Sequence, residues 1–346
     1  MYFKNLNGRA LSAVLMGIVF SFTSCIKDLP PIFKGGGSHP GTPVVFVAGY
    51  ESDGTHNVAK YWVDGQEMKL SDGTRDATAN SIFVSNNNVY TAGTDSGAVY
   101  WKNNNEIRLP GENASSIFVS GNDVYVAGVH DTKAVYWKNG TEVPLENTNV
   151  YGVFNNAAAN SIYISGNDVY AAGYDGPNAV YWKNGSEIYL TAGTTTITGF
   201  VHAYSIYVKG SDVYVVGYDQ FAGAVFPQIW YWKNGVRVTI NQVDHYGQGN
   251  SVLVSGSDVY IAGMQQSAPN YIQTAAYWKN GNVVLLPGSG TPSFGKSIFV
   301  SGNDVYLAGY EDLTYPMSYA VYWKNGVETK LTNGTQAAAA NSIFVK

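Results

Sequence analysis

The 346-residue sequence contains one cysteine, Cys25, so no disulfide can form within the chain. Charge is scarce: Asp, Glu, Lys and Arg make up 13% of residues, with 20 basic residues against 25 acids. A formal net charge of −5 without a basic cluster argues against a phosphate-backbone binder, and no nucleic acid partner is expected. After residue 25 no apolar run reaches the roughly 20 residues that a membrane-spanning helix needs. Catalytic signatures are missing too: the chain has no Gly-x-Ser-x-Gly elbow, no His-Glu-x-x-His pair, no phosphate loop and no EF-hand loop.

What is present is a repeat. The heptapeptide AVYWKNG stands at 134–140, 179–185 and 320–326, and as AVYWKNN at 98–104. Aligning its Tyr-Trp pair gives seven copies, at Trp62, Trp101, Trp137, Trp182, Trp232, Trp278 and Trp323, spaced by 36 to 50 residues. Only Trp230 of the 8 tryptophans falls outside the pattern. A period near 40 to 50 residues is that of propeller blades. The best copy, SSIFVSGNDVYVAGVHDTKAVYWKNGTEVPL at 115–145, parses into four short strands: SIFV, DVYVAG, AVYW and TEVPL. Asn-Gly between strands is a hairpin signal, because type I′ turns need positive φ. The Trp and Tyr of the repeat are therefore expected to pack between blades.

The fold class expected is all-β: a seven-bladed β-propeller with four antiparallel strands per blade. The chain opens on a second-strand unit, Val44–Gly49, and closes on a first-strand unit, Ser342–Val345. The C-terminal strand should complete the first blade as a Velcro join, leaving no free sheet edge. Seven-bladed propellers in general are what residues 44–346 resemble. The Trp-Asp dipeptide, the paired glycines and the Asp box that mark the named propeller families are absent.

The N-terminus reads differently. Lys4 and Arg9 precede the apolar run 11–22, and small residues lead to Cys25. The segment FTSCIKD resembles the lipobox of Bacteroidota envelope lipoproteins, with Phe22 in place of the usual Leu. That resemblance implies cleavage after residue 24, acyl chains including palmitate on Cys25, and attachment to the bilayer of the bacterial cell envelope, with the outer membrane as destination. The expected organisation is signal peptide 1–24, lipidated Cys and flexible tether 25–43, and propeller 44–346. Losing residues 1–24 removes Lys4 and Arg9 and no acid, which takes the net charge from −5 to −7.

Two faces follow from the parse. Ser-Gly-Asn-Asp and Lys-Asn-Gly turns share one face and barely vary. The opposite face carries longer, dissimilar loops, at 146–160, 191–204, 218–229, 241–250 and 264–274, and variable loops on a rigid scaffold are where recognition is usually placed. Ligand-binding candidates there are Tyr151, Phe154, Phe200, His202, Tyr204, Phe221, Phe226, Trp230, His245, Tyr246 and Tyr271, aromatic and polar groups suited to a sugar or a protein. Acids outnumber the loop cations Arg75, Lys133 and Lys296 on that face, so calcium is the one ion considered as a cofactor, and no cofactor is the primary expectation.

The repeated aspartates are assigned to folding. Asp123, Asp168, Asp212, Asp258 and Asp304 follow a turn and should cap backbone N–H groups, and Ser81, Ser116, Ser161, Ser205, Ser251, Ser297 and Ser342 begin each first strand beside the channel. No catalytic residue is assigned. The functional expectation is a non-catalytic, membrane-anchored, monomeric binding module. Its alternatives are a glycan-binding surface lipoprotein, an interaction scaffold in an envelope protein complex, and a polysaccharide hydrolase or lyase.

Overall fold

The computed structural model describes residues 43–148, 156–190, 201–219, 228–240, 246–267, 272–288 and 290–346. Every regular element among them is a β-strand, and the strands form seven four-stranded antiparallel sheets. No helix among the described residues is long and apolar enough to cross a membrane. Blades are numbered 1 to 7 in the order of their Tyr-Trp pairs.

The seven innermost strands are Ala338–Val345 in blade 1, then Ala77–Ser85, Asn113–Ser120, Ala157–Ser165, Val201–Lys209, Tyr246–Ser255 and Ser293–Ser301 in blades 2 to 7. Each touches the next, and that of blade 1 touches both blade 2 and blade 7, which closes a ring about a central axis. The Velcro join is as expected: Ala338–Val345 pairs with Val45–Ser52 from Val45 opposite Val345 to Glu51 opposite Ala338.

Turn chemistry fixes the hairpins. In the Lys-Asn-Gly turn of blade 3, Asn139 and Gly140 take φ of 52° and 84°, the type I′ geometry that pairs Asn with Gly. Asn Oδ1 then accepts the N–H of the valine that is the second residue of the second strand, at 2.8–2.9 Å in blades 2 to 7. Its Nδ2 donates to the aspartate preceding that valine in blades 3 to 7, at 2.7–2.9 Å. The repeat lysine closes the clamp on the second carboxylate oxygen at 2.7–3.0 Å. The aspartates thus bind side chains of the neighbouring turn, and the asparagine takes the backbone cap expected of them.

All seven repeat tryptophans are at most 1% exposed and pack between blades. Burial of such a ring stabilises by roughly 3–5 kcal/mol relative to alanine. The seven serines form a closed girdle. Each Oγ accepts the backbone N–H of an Ile or Val in the next blade at 3.1–3.4 Å, from Ser81 to Ile117 around to Ser342 to Ile82. Circular symmetry explains their recurrence: an inner strand has a sheet partner on one side only, and the hydroxyl supplies the other.

Inner strands are longer than the SIFV parse. Each carries a β-bulge just before its serine, for example between Ala79 and Ser81 opposite Gly93. At Gly173 the reason is visible: an added Cβ would overlap the Ala158 carbonyl that the bulge presses onto the second strand. Glycine at this position in every blade, Gly49 to Gly309, is a steric requirement of the bulge.

Candidate functional site

Two ends of the axis differ. Towards the turns, the inner strands present Phe344, Phe83, Phe118, Tyr163 and Tyr207 in succession, neighbouring centroids 4.8–5.2 Å apart. Phe299 joins Phe344 at 5.0 Å, and Leu253 stands at the equivalent place in blade 6. This collar is aromatic apart from Leu253 and nearly uniform. Beyond the serine girdle, at the end carrying the variable loops, the bulge residues and those two places before them line the mouth, and there the blades stop resembling one another.

The bulge residue is asparagine in four blades, and each Nδ2 donates to a carbonyl of the next blade. Asn80 reaches Ala114, Asn160 reaches Ala203, Asn250 reaches Gly295 and Asn341 reaches Ala79, at 2.7–3.0 Å. Blade 3 has Ser115, tied to Asn113 at 2.8 Å. Blade 5 has Tyr204 and blade 7 has Lys296, neither of which can reproduce the amide clasp. Two residues before the bulge the series runs Ala339, Thr78, Asn113, Ala158, His202, Gln248 and Phe294 from blade 1 to blade 7.

These departures make two stacks. His202 lies on Tyr174 of blade 4 at 4.2 Å and 13°, with Tyr204 6.3 Å away. Burial holds the His202 imidazole below its ordinary pKa, towards the neutral form. In blade 7 Phe294 lies on Tyr310 at 4.7 Å and 16°, and Lys296 Nζ stands 5.5 Å from the centre of the Tyr310 ring. Burial lowers the Lys296 pKa, and it raises that of Tyr310 to about 12, with the charge of Asp312 and the neighbouring Tyr50 adding to the rise. His202, Tyr204, Phe294, Lys296, Tyr310 and Tyr50 are all half-buried, so each keeps surface open to solvent.

The sequence candidates distribute as follows. His202 and Tyr204 lie in the inner strand Val201–Lys209, and Tyr246 opens the inner strand of blade 6, rather than in loops. The loop reading failed there because Val-His-Ala-Tyr is the counterpart of Ala-Thr-Ala-Asn, disguised by substitution at its two mouth-facing positions. Trp230 is half-buried against the Trp232 cluster of blade 5, with the Arg237 guanidinium on its ring face. Cys25, Tyr151, Phe154, Phe200, Phe221, Phe226, His245 and Tyr271 lie outside the described residues. Lys296, counted with the loop cations in sequence, belongs to an inner strand. Phe294, Tyr310, Tyr174 and Tyr50 went unlisted among the candidates; the signal that finds them is deviation from the repeat at fixed positions.

Several acids of this face are internal. Asp95, Asp175 and Glu311 are at most 3% exposed. Arg75 and Arg108 hold Asp95, Lys330 holds Glu311 at 4.0 Å, and the Asn147 amide in its bonding orientation donates to both Asp175 oxygens. Glu51, at the same blade position, pairs with Lys60 at 2.6 Å. Among the described residues no three His, Cys, Asp or Glu side chains gather to hold a metal ion. At the other end, a groove of about 560 Å³ between blades 6 and 7 is lined by Tyr260, Leu285, Pro287 and Asn325, residues of the shared blade framework.

No protein-family model matches the chain, and no curated protein matches its sequence. Solved structures match its fold. A candidate 6-phosphogluconolactonase from Bacteroides fragilis NCTC 9343 superposes with TM-score 0.50 at 11% identity, over 90% of this chain and 100% of that one. The β-propeller domain of the Trilobed protease from Pyrococcus furiosus, described as having an open velcro topology, gives TM-score 0.51 at 10% identity over 84% and 95%. A puromycin-hydrolysing peptidase from Mycobacterium tuberculosis gives TM-score 0.52 at 9% identity over 83% of this chain and 53% of that one. At these identities the likeness is one of fold alone.

Proposed function

We propose that this protein is a non-catalytic binding module of the bacterial envelope, anchored in the outer membrane through acyl chains on Cys25, which takes its ligand at the channel mouth and the loops around it. The observation that carries this reading is where the repeat is broken. Five blades build the same Asp-Lys-Asn clamp at one end, whereas the mouth holds Asn, Ser, Tyr and Lys at a single structural position. Residues that fold a repeat recur with it, and residues that abandon a bond which the other blades make are expected at functional sites. The Pro- and Gly-containing tether 26–43 would hold the domain off the bilayer.

Stacked aromatic rings beside amides favour a glycan over a protein as ligand: rings take the C–H face of a sugar and amides its hydroxyls. Lactone and peptide hydrolysis, named for two of the matched folds, does not transfer at such identity. The test is a glycan array probed with the full chain in detergent, in calcium and in chelator. Specific spots that disappear when Tyr204 and Lys296 are replaced support the reading. Spots unaffected by those replacements but lost on changing the turn clamps would overturn it.

A further inference from the structure

Lys296 is the most exceptional residue of the mouth. Its place in the blade is asparagine in four others, where the amide clasps the next inner strand. The lysine forgoes that clasp and brings an ammonium group into a half-buried position, where desolvation disfavours the charge. Among the described residues it makes no ion pair or hydrogen bond. Asp312, whose charge reaches the Tyr310 hydroxyl, is not paired with it. Its ammonium group stands over the face of the Tyr310 ring, against which Phe294 is stacked. A desolvated cation without a counter-charge is stabilised by whatever anion enters beside it.

We infer that Lys296, Tyr310 and Phe294 form a subsite for a hexuronate, the carboxylate of the sugar meeting Lys296 Nζ while its C–H face lies on the two rings. The inference rests on the binding reading above and names the ligand class of the same site. One lysine with no arginine fork beside it suits a singly charged carboxylate better than a phosphate dianion, which is bound best by several donors. Net charge points the same way: a chain at −5 repels a dense polyanion more than a single acidic sugar. Gln248, Asn250 and Asn341, half-buried on the flanking inner strands, offer amides to the ring hydroxyls. In blades 1 and 4 the position held by Phe294 is Ala339 or Ala158, so the plate of rings faces short side chains.

The test uses the full chain in detergent and calorimetric titration with the methyl glycosides of glucuronate, galacturonate and mannuronate. Each is run beside its carboxyl-reduced neutral form, with inorganic phosphate as competitor. At least one uronate should bind about tenfold or more tightly than its reduced form, the size of one charge-assisted hydrogen bond. Lys296→Asn should abolish that difference while melting at or above the wild-type temperature, since asparagine restores the clasp; Lys296→Arg should keep part of it. Equal binding of charged and reduced sugars, unchanged affinity in Lys296→Asn, phosphate competing as well as carboxylate, or no uronate bound at all would each overturn the inference. Neutral glycan binding sensitive to Tyr204 would in that case leave the binding reading standing, whereas a mouth that binds nothing would remove both.

Discussion

The turn end and the mouth end of this propeller are built from the same seven strand quartets, yet one is copied and the other is edited. At the turn end a buried tryptophan, a type I′ turn and an Asp-Lys-Asn clamp recur with distances that vary by 0.3 Å or less from blade to blade. At the mouth the bulge geometry is kept in every blade while its side chain changes from Asn to Ser, Tyr and Lys. The difference teaches how to separate fold from function within one sequence. A repeat supplies its own control: a position that must serve packing is the same in all blades, and one that serves a ligand needs to differ in a few.

The sharpest way to break this division is to strike the copied part. Trp182→Ala should cost about 3–5 kcal/mol, read by denaturant unfolding, because the ring is wholly buried between blades and its indole N–H also donates to the Glu146 carbonyl at 2.7 Å. Ligand affinity of the fraction that remains folded should be unchanged. Cutting one link of the serine girdle is next in size. Ser161→Ala leaves the Ile206 N–H without its acceptor and should cost about 1–3 kcal/mol, with faster amide exchange at Ile206 as the local readout.

Editing the mouth back to the repeat should act with the opposite sign. Tyr204→Asn places an amide where Asn160 and Asn250 clasp their neighbours and should raise stability by about 0.5–1.5 kcal/mol, measured by thermal melting, while weakening binding. A loss of stability would show that Tyr204 is a packing residue and blur the contrast between the two ends.

The smallest effect concerns pH at the turn end. Lys138, Lys233 and Lys279 hold Asp123, Asp212 and Asp258 below the usual carboxylate range, assisted by the turn asparagines; at Asp168 and Asp304 the asparagines Asn184 and Asn325 act first and the lysines second. A depressed folded-state pKa gives stability that is present above the unfolded aspartate value and lost as pH falls through the folded value. Melting temperature should therefore fall on acidification below about pH 4, the ordinary aspartate range. Asp168→Asn should flatten that fall slightly and leave the melting temperature near neutral pH almost unmoved.

The fold was legible because its structural demands were written five to seven times over. Asn139-Gly140 gave the hairpin through its positive φ, Trp137 the blade core, and Ser342–Val345 the closing strand. The mouth was only half legible. His202 and Tyr204 were singled out, but as loop residues, because aromatic substitution hid the Ala-x-Ala-Asn-Ser pattern that extends each inner strand through its bulge. Lys296 looked like a loop cation for the same reason, and Phe294, Tyr310 and Tyr174 passed as strand formers. Their stacking depends on the bulge, which bends the strand locally and has no signature in composition. Among the acids of the loop face, Asp95, Asp175 and Glu311 turn out to be internal, because their partners Arg108, Asn147 and Lys330 come from elsewhere in the blade or its connections, which sequence spacing does not show.

The most direct test of the account compares three proteins on one glycan array: the wild type, the mouth-repaired Tyr204→Asn/Lys296→Asn variant, and the clamp variant Asp168→Asn/Lys183→Gln. The account predicts that the mouth-repaired protein melts at or above the wild-type temperature and loses binding, while the clamp variant binds as the wild type does. Binding retained by the mouth-repaired protein and lost by the clamp variant would place the ligand at the copied end and contradict it.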